Sequence, residues 1–239
     1  MKQYIICLQE LPVFKALTNN EFIEEICKQT QRMEIKKGEV LFHQGDEASH
    51  LYLVKEGMLK LLRYDEEGNE KILDMIGPRE CVGETAFWSN RYEFEATALE
   101  DTYLCAYHFN HFKMFILSNP VYSEKIIKYL GQKLDDNMFR SKDSEGLLVK
   151  DKLLRQLEKL AADHGELLED GYSRLIKVSV TQQDLANMVG ASRLMVNNAL
   201  KELREENAID KKGRYYIVKS ERCLIKNFVN KFKNMVSAG

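Results

Sequence analysis

Residues 180–206, VTQQDLANMVGASRLMVNNALKELREE, read as two short helices separated by a tight turn. Thr181 is an N-cap with Asp184 three residues on, the spacing of a capping box. Leu185, Ala186 and Val189 place apolar side chains on one face of the first helix, and Gly190 ends it. Ser192 caps a second helix whose Val196, Ala199, Leu200 and Leu203 recur at spacings of three and four. That stripe faces the first helix and leaves Arg193, Leu194, Asn197 and Asn198 outward. The pattern is a helix-turn-helix. Arginine can take two acceptors of a guanine edge, asparagine can pair with adenine, and leucine can touch a thymine methyl, so the outward face has the chemistry to read a major groove. The candidate DNA-contacting set is Thr181, Gln182, Ser192, Arg193, Leu194, Asn197, Asn198 and Lys201. An ordinary helical hairpin in a core would leave this polar face without a role.

The flanking sequence supplies a setting for this pair. Leu153, Leu154, Leu157 and Leu160 predict an amphipathic helix, followed by an acidic loop over 163–173 and a strand over 175–180. Residues 208–218, AIDKKGRYYIV, read as a hairpin around Lys212-Gly213, the wing of a winged helix. From Ser220 to Gly239, Leu224, Ile225, Phe228, Val229 and Phe232 mark a last amphipathic helix, with Arg222, Lys226, Lys231 and Lys233 between them.

The formal net charge of −2 conceals an asymmetry. Residues 1–146 carry 18 Lys and Arg against 25 Asp and Glu, whereas 147–239 carry 17 against 12. The positive excess therefore lies with the helix-turn-helix, where phosphate would be bound. With 239 residues, 44% of them hydrophobic and 30% charged, two globular domains are expected without disulfide or metal support. No apolar run is long enough to span a bilayer, and the first residues lack the features of a signal peptide, so a cytoplasmic location without membrane contact is expected. Cys7, Cys27, Cys81, Cys105 and Cys223 are scattered and odd in number, as suits buried thiols in a reducing compartment.

Toward the N-terminus the period changes. Residues 8–33 read as helical; from Glu34 to about Ala106 short β-rich runs alternate with Gly38, Gly45, Gly57, Gly68, Gly77 and Gly83. Runs at 40–43, 51–54, 58–64 and 71–76 imply an antiparallel sandwich or barrel. Asn119-Pro120 is a helix start, and Ser123, Ile127, Leu130, Leu134 and Met138 follow at near-heptad spacing. Such a seam requires a partner helix, from its own β-domain or from a second copy. SKDSEG, 141–146, breaks the pattern as a hinge.

KKGEVLFHQGD, YLVKEGMLKL and the Gly83-Glu84 pair, in this order and followed by the helix-turn-helix, resemble the Crp-Fnr superfamily, that of the cyclic-AMP receptor protein and the fumarate-nitrate reduction regulator. The resemblance covers nearly the whole chain. It implies an α+β fold: an N-terminal cyclic-nucleotide-binding-like antiparallel β-roll with its N-terminal helix (1–118), a long dimerisation helix and hinge (119–146), and a C-terminal winged helix-turn-helix domain (147–239). It further implies a homodimer paired through Ile127, Leu130, Leu134 and Met138, double-stranded DNA with a pseudopalindromic operator as the target, and RNA polymerase as a partner.

In cyclic-AMP-binding members of that family, Arg-Ser about ten residues after the Gly-Glu pair holds the cyclic phosphate. Here Phe94 and Glu95 stand there, and burying an anion beside Glu95 costs on the order of several kcal/mol, which argues against cyclic AMP. Arg91, three residues earlier, is the nearest cation in sequence. Phe87, Trp88, Tyr92 and Phe94 surround the cassette, and Gly83, Glu84, Thr85, Trp88, Tyr92, Phe94 and Glu95 form the candidate effector set. The rings either line a pocket for a small organic effector or fill the nucleotide space and leave control to thiol redox. Cys105 matches one ligand of the family's iron-sulfur sensors, but Cys7 and Cys27 do not make the N-terminal cluster such a centre takes, and His43, His50, His108 and His111 lie in no haem motif. Neither an iron-sulfur cluster nor haem is expected, nor any other cofactor or metal. No phosphate loop and no nucleophile with a matched base suggests an enzyme. The other reading is a ligand-binding protein whose winged domain binds protein.

Overall fold

The computed structural model describes residues 30–87, 89–118, 120, 121, 123–128, 130, 131 and 147–219. The chain divides into two compact units, the first Met1–Tyr64 with Leu73–Glu145 and the second Asp65–Ile72 with Gly146–Gly239.

In the first unit, β1 (Gln31–Ile35), β8 (Thr102–His108), β3 (His50–Glu56) and β6 (Cys81–Val82) form one antiparallel sheet in the order β1-β8-β3-β6. A second takes β2 (Val40–Phe42), β7 (Glu95–Ala98), β4 (Leu59–Tyr64) and β5 (Glu70–Ile76, of which Leu73 onward lies in this unit) in the order β2-β7-β4-β5. Ile35, Tyr52, Val54, Val82, Leu104 and Ala106 from the first sheet share a buried cluster with Phe42, Leu59, Ile76, Ala96 and Ala98 from the second. Residues two apart on a strand, such as Tyr52 and Val54, Ala96 and Ala98, and Leu104 and Ala106, share the face that meets in this two-layer core.

The expected helix over 8–33 is corrected at its C-terminal end, where Gln31–Ile35 is a strand; residues 8–29 lie outside those described. Five consecutive residues of β1 pair with β8, and only Ile35 is fully buried, so pairing with a long neighbour overrides the local helical pattern. A helix not anticipated from sequence, α1 (Phe109–Ser118), follows β8 directly. Phe109 and Phe112 anchor it at a spacing of three. Pro120 is helical, as are the described residues up to 131; Asn119, Leu134, Met138 and 141–146 lie outside the described set.

In the second unit, α2 (Val149–His164) buries Leu153, Leu157, Leu160 and Ala161 against α3 (Gln182–Val189) and α4 (Arg193–Glu205). A sheet of order β11-β12-β10-β9 completes the unit: β9 (Gly165–Leu167), β10 (Arg174–Ile176), β11 (Ile209–Lys212) and β12 (Tyr215–Val218). Three sequence expectations change here. The acidic loop contains strand β9, and its turn is held by Asp170 Oδ1, which accepts from the Tyr172 and Ser173 N–H groups at 3.1 and 2.8 Å. The strand expected to reach Val180 stops at Ile176, because β12 pairs only with Arg174 and Leu175. The wing turns at Gly213-Arg214 rather than Lys212-Gly213, since Lys212 already pairs with Tyr215.

Gly57 closes the turn between β3 and β4 at φ +87°, and a Cβ there would lie 2.5 Å from the Asp101 carbonyl oxygen and 2.7 Å from Thr102 Cα. These are backbone atoms that cannot rotate away. Gly57→Ala is expected to cost about 3 kcal/mol, from left-handed strain plus overpacking, read as a lowered urea midpoint with unchanged slope. Asp184→Ala, which removes the carboxylate of the α3 capping box, should cost about 1–2 kcal/mol in the same measurement.

Candidate functional site

The helix-turn-helix is set by its caps. Thr181 Oγ1 accepts from the Asp184 N–H at 3.1 Å, and Asp184 Oδ2 accepts from the Thr181 N–H at 2.9 Å and from its hydroxyl at 2.6 Å. Gly190 ends α3 in the left-handed conformation, and Ser192 Oγ accepts from the Met195 N–H at 3.2 Å to start α4. With the ends fixed, Leu185 and Ala186 are buried, as are Val196, Ala199, Leu200 and Leu203. Val189, expected with the first group, is half-buried.

The opposite face of α4 is open. Ser192, Arg193, Leu194, Asn197, Asn198 and Lys201 are all exposed, as is Thr181. Gln182, half-buried, reaches across from α3, its Nε2 donating to Asn197 Oδ1 at 3.0 Å. The second lone pair of that oxygen and both Nδ2 protons stay available to a base edge. Met195, 50% exposed, lies at the edge of this face, about 100° round the helix from Leu194, and was not anticipated; the apolar run had hidden it. Seven of the eight predicted contacts are therefore exposed and Gln182 is half-buried, with a bond between the two helices that joins Gln182 to Asn197.

The effector candidates are more divided. Gly83 adopts φ +97°, with the His50 carbonyl oxygen 2.7 Å from where a Cβ would sit, so the backbone passes too close for any other residue. Glu84 begins a short 3-10 turn, Glu84–Phe87, and Thr85 in it is buried. Trp88 lies outside the described residues. Tyr92 is 3% exposed and belongs to the buried core cluster. Its hydroxyl donates to the His50 carbonyl at 2.8 Å and accepts from the His50 N–H at 3.1 Å, and its ring stacks on Phe42 with centroids 3.8 Å apart. Burial raises its phenol pKa.

Phe94 is half-buried, and Glu95, at the start of β7, is only 8% exposed. Its carboxylate is fully engaged: His43 Nδ1 donates to Oε2 at 2.8 Å, and Tyr64 and Thr97 hydroxyls donate to Oε1 at 3.4 and 3.2 Å. His43 and Tyr64 lie 52 and 31 residues from Glu95, which is why no local motif announced them. Arg91 is not turned toward this carboxylate; its Nη1 donates to the Gly45 carbonyl at 2.5 Å.

An open cleft of about 500 Å³ lies nearby, lined by Ser49, Ala86, Arg91, His108 and Lys113 among others, but not by Gly83, Glu84, Phe94 or Glu95. His50 and His108 meet edge to face at 5.3 Å and His108 and His111 at 5.0 Å; burial first, then His108, lowers the His50 pKa. Among the described residues no three His, Cys, Asp or Glu side chains converge as a metal site requires. Nor is any described helix long and apolar enough to cross a membrane.

Comparison with known proteins places both units. Residues 32–119 match the cyclic nucleotide-binding domain, and 151–225 match the Crp-like helix-turn-helix domain. A CRP-like cAMP-activated global transcriptional regulator of Mycobacterium tuberculosis is 26% identical over 202 residues, 84% of this chain and 89% of that protein. The anaerobic regulatory protein of Bacillus subtilis is 28% identical over 213 residues, covering 86% and 87%. Among solved structures, FixK2 from Bradyrhizobium japonicum superposes with a TM-score of 0.70 at 14% identity, over 82% of this chain and 96% of that one. The c-di-GMP responsive regulator CLP of Xanthomonas campestris gives 0.68 at 22%, over 84% and 100%. An antiparallel β-roll and a helix-turn-helix, matched in this order by both domain types, place the chain in the Crp-Fnr superfamily of transcription regulators.

Proposed function

We propose that this chain is a homodimeric, sequence-specific DNA-binding regulator, not an enzyme, whose β-roll answers to a small-molecule effector other than cyclic AMP. The observation that carries the reading is the α4 surface: one stripe buried, and Arg193, Leu194, Asn197, Asn198 and Lys201 together on the exposed side. Two such helices must stand about 34 Å apart to enter successive major grooves, and a two-fold dimer then reads a pseudopalindrome. Ile127, 68% exposed on a helical segment, supports a partner copy; Leu130 beside it is half-buried, and Leu134 and Met138 continue the spacing in sequence. Action in the cytoplasm, with RNA polymerase as the downstream partner, follows from the same family resemblance.

The effector is argued from Glu95. Several relatives are named as cAMP-activated, but here the position in question holds a buried carboxylate whose two oxygens already take three donors. An anionic phosphate beside it would meet like charge, at a cost on the order of several kcal/mol. Control by a disulfide between the described cysteines has no geometric support. Cys81 and Cys105 are both buried and pair with Leu53 from opposite sides, two strand spacings or about 9.6 Å apart, beyond the reach of a disulfide.

Duplex binding by the purified full chain should weaken steeply as salt is raised from about 50 to 200 mM, in proportion to the phosphates contacted. Affinity without salt dependence would sink the DNA reading in favour of a protein partner. Arg193→Ala is expected to cost about 1–3 kcal/mol on a selected duplex and to relax preference at one guanine. Calorimetric titration with cyclic AMP should give no saturable heat; saturable binding by the natural sequence would overturn the argument from Glu95.

A further inference from the structure

We infer that Leu194 and Met195 form a two-pronged apolar reader for the C5-methyl groups of thymine. The inference rests on the DNA-binding reading above and deepens it. Leu194 is 70% exposed and Met195 50% exposed, side by side on the first turn of α4. Large apolar side chains are placed in water at some cost, and neither joins the buried stripe of Val196, Ala199, Leu200 and Leu203. Their backbone is held rather than frayed, because Ser192 Oγ accepts from the N–H of Met195 itself.

The surroundings decide what these side chains meet. Arg193, Asn197, Asn198 and Lys201 supply exposed polar and cationic groups around Leu194, Asn198 lies one turn on from Met195 as well, and the N-terminus of a helix favours nearby phosphate. Two isolated apolar side chains beside polar groups are a small target for a protein groove but the right size for isolated methyl groups. In the major groove, thymine alone of the four bases presents a methyl, and it does so between acceptor and donor edges that Arg193 and Asn197 are placed to take. Consecutive helical residues diverge by about 100°, so Leu194 and Met195 cannot share one methyl. Each half-site should therefore carry two methyl-sensitive positions. The branched Leu194 suits a methyl in fixed register, while the flexible thioether of Met195 tolerates a less regular approach.

The test uses the full chain. A preferred duplex is first selected from a randomised library, and each thymine is then replaced in turn by deoxyuridine, which removes the methyl and leaves every base-pairing group and phosphate in place. Two positions per half-site should weaken binding by about four-fold each, the worth of one buried methyl. Leu194→Ala should abolish the penalty at one of them and Met195→Ala at the other, while Arg193→Ala, though weaker overall, keeps both. A selected duplex with no deoxyuridine-sensitive thymine overturns the proposal and leaves DNA recognition intact, as does a penalty that survives in both alanine variants. Failure to select any duplex overturns the DNA reading itself.

Discussion

The reciprocal pair of bonds between Thr181 and Asp184 fixes where α3 starts, and the register of the reading surface follows from it. A helix leaves four N–H groups without partners at its N-terminus, and water would take them and let the first turn fray. Here Asp184 is itself buried, so its carboxylate accepts from Thr181 in a site where water competes poorly. With the first turn held, Leu185 and Ala186 must face the stripe of α4. The polar side of α4 has then only one direction left, outward, and Gln182 at the first helical position of α3 can reach Asn197. One short capping motif thus links sequence to the orientation of an amide that can contact a base.

In the β-roll the corresponding constraint is a charge. A carboxylate taken out of water must be supplied with donors or neutralised, and Glu95 has three donors drawn from three separate stretches of chain. His43 follows β2, Tyr64 ends β4 and Thr97 shares β7 with Glu95, so the network ties adjacent strands of one sheet. A fold that elsewhere accommodates an anionic ligand carries in this chain an anion of its own, already satisfied. The physical requirement on any effector here follows directly. An effector bound beside Glu95, as proposed, would have to gain from apolar contact or from donating hydrogen bonds, because a second negative charge would have to be desolvated beside the first.

The helix-turn-helix was legible almost to the residue because its signals are local: a capping box, a glycine stop, a serine cap and a 3.6-residue period all lie within 27 residues, 180–206. The β-roll was legible as an order of strands, since glycines punctuate it. Its boundaries were not, because β1 is set by pairing with a strand about 70 residues away and α1 by where Phe109 and Phe112 land against the core. The wing shifted by one residue for the same reason, strand register deciding which two residues turn. The effector cassette was the least legible part. Tyr92 looked like a pocket ring but spends its hydroxyl on the His50 backbone, and two of the three donors to Glu95, His43 and Tyr64, came from positions no spacing rule connects.

The apolar turn of α4 bears on how specificity and affinity divide in this regulator. The excess of positive charge after residue 146 suits attraction to phosphate, which positions a protein on a duplex without reading its sequence. The family's common Arg-Glu-x-x-x-Arg pattern in the recognition helix reads mainly through charged groups, whereas Leu194 and Asn198 stand here in place of the acid and the second arginine. With Arg193 retained, an exchange of the acid and the second arginine for Leu194 and Asn198 would move discrimination from ionic contacts toward shape, methyl packing and neutral hydrogen bonds. Those contributions are screened little by salt, unlike contacts to phosphate. A regulator built this way loses overall affinity as ionic strength rises while keeping its ranking of one operator over another.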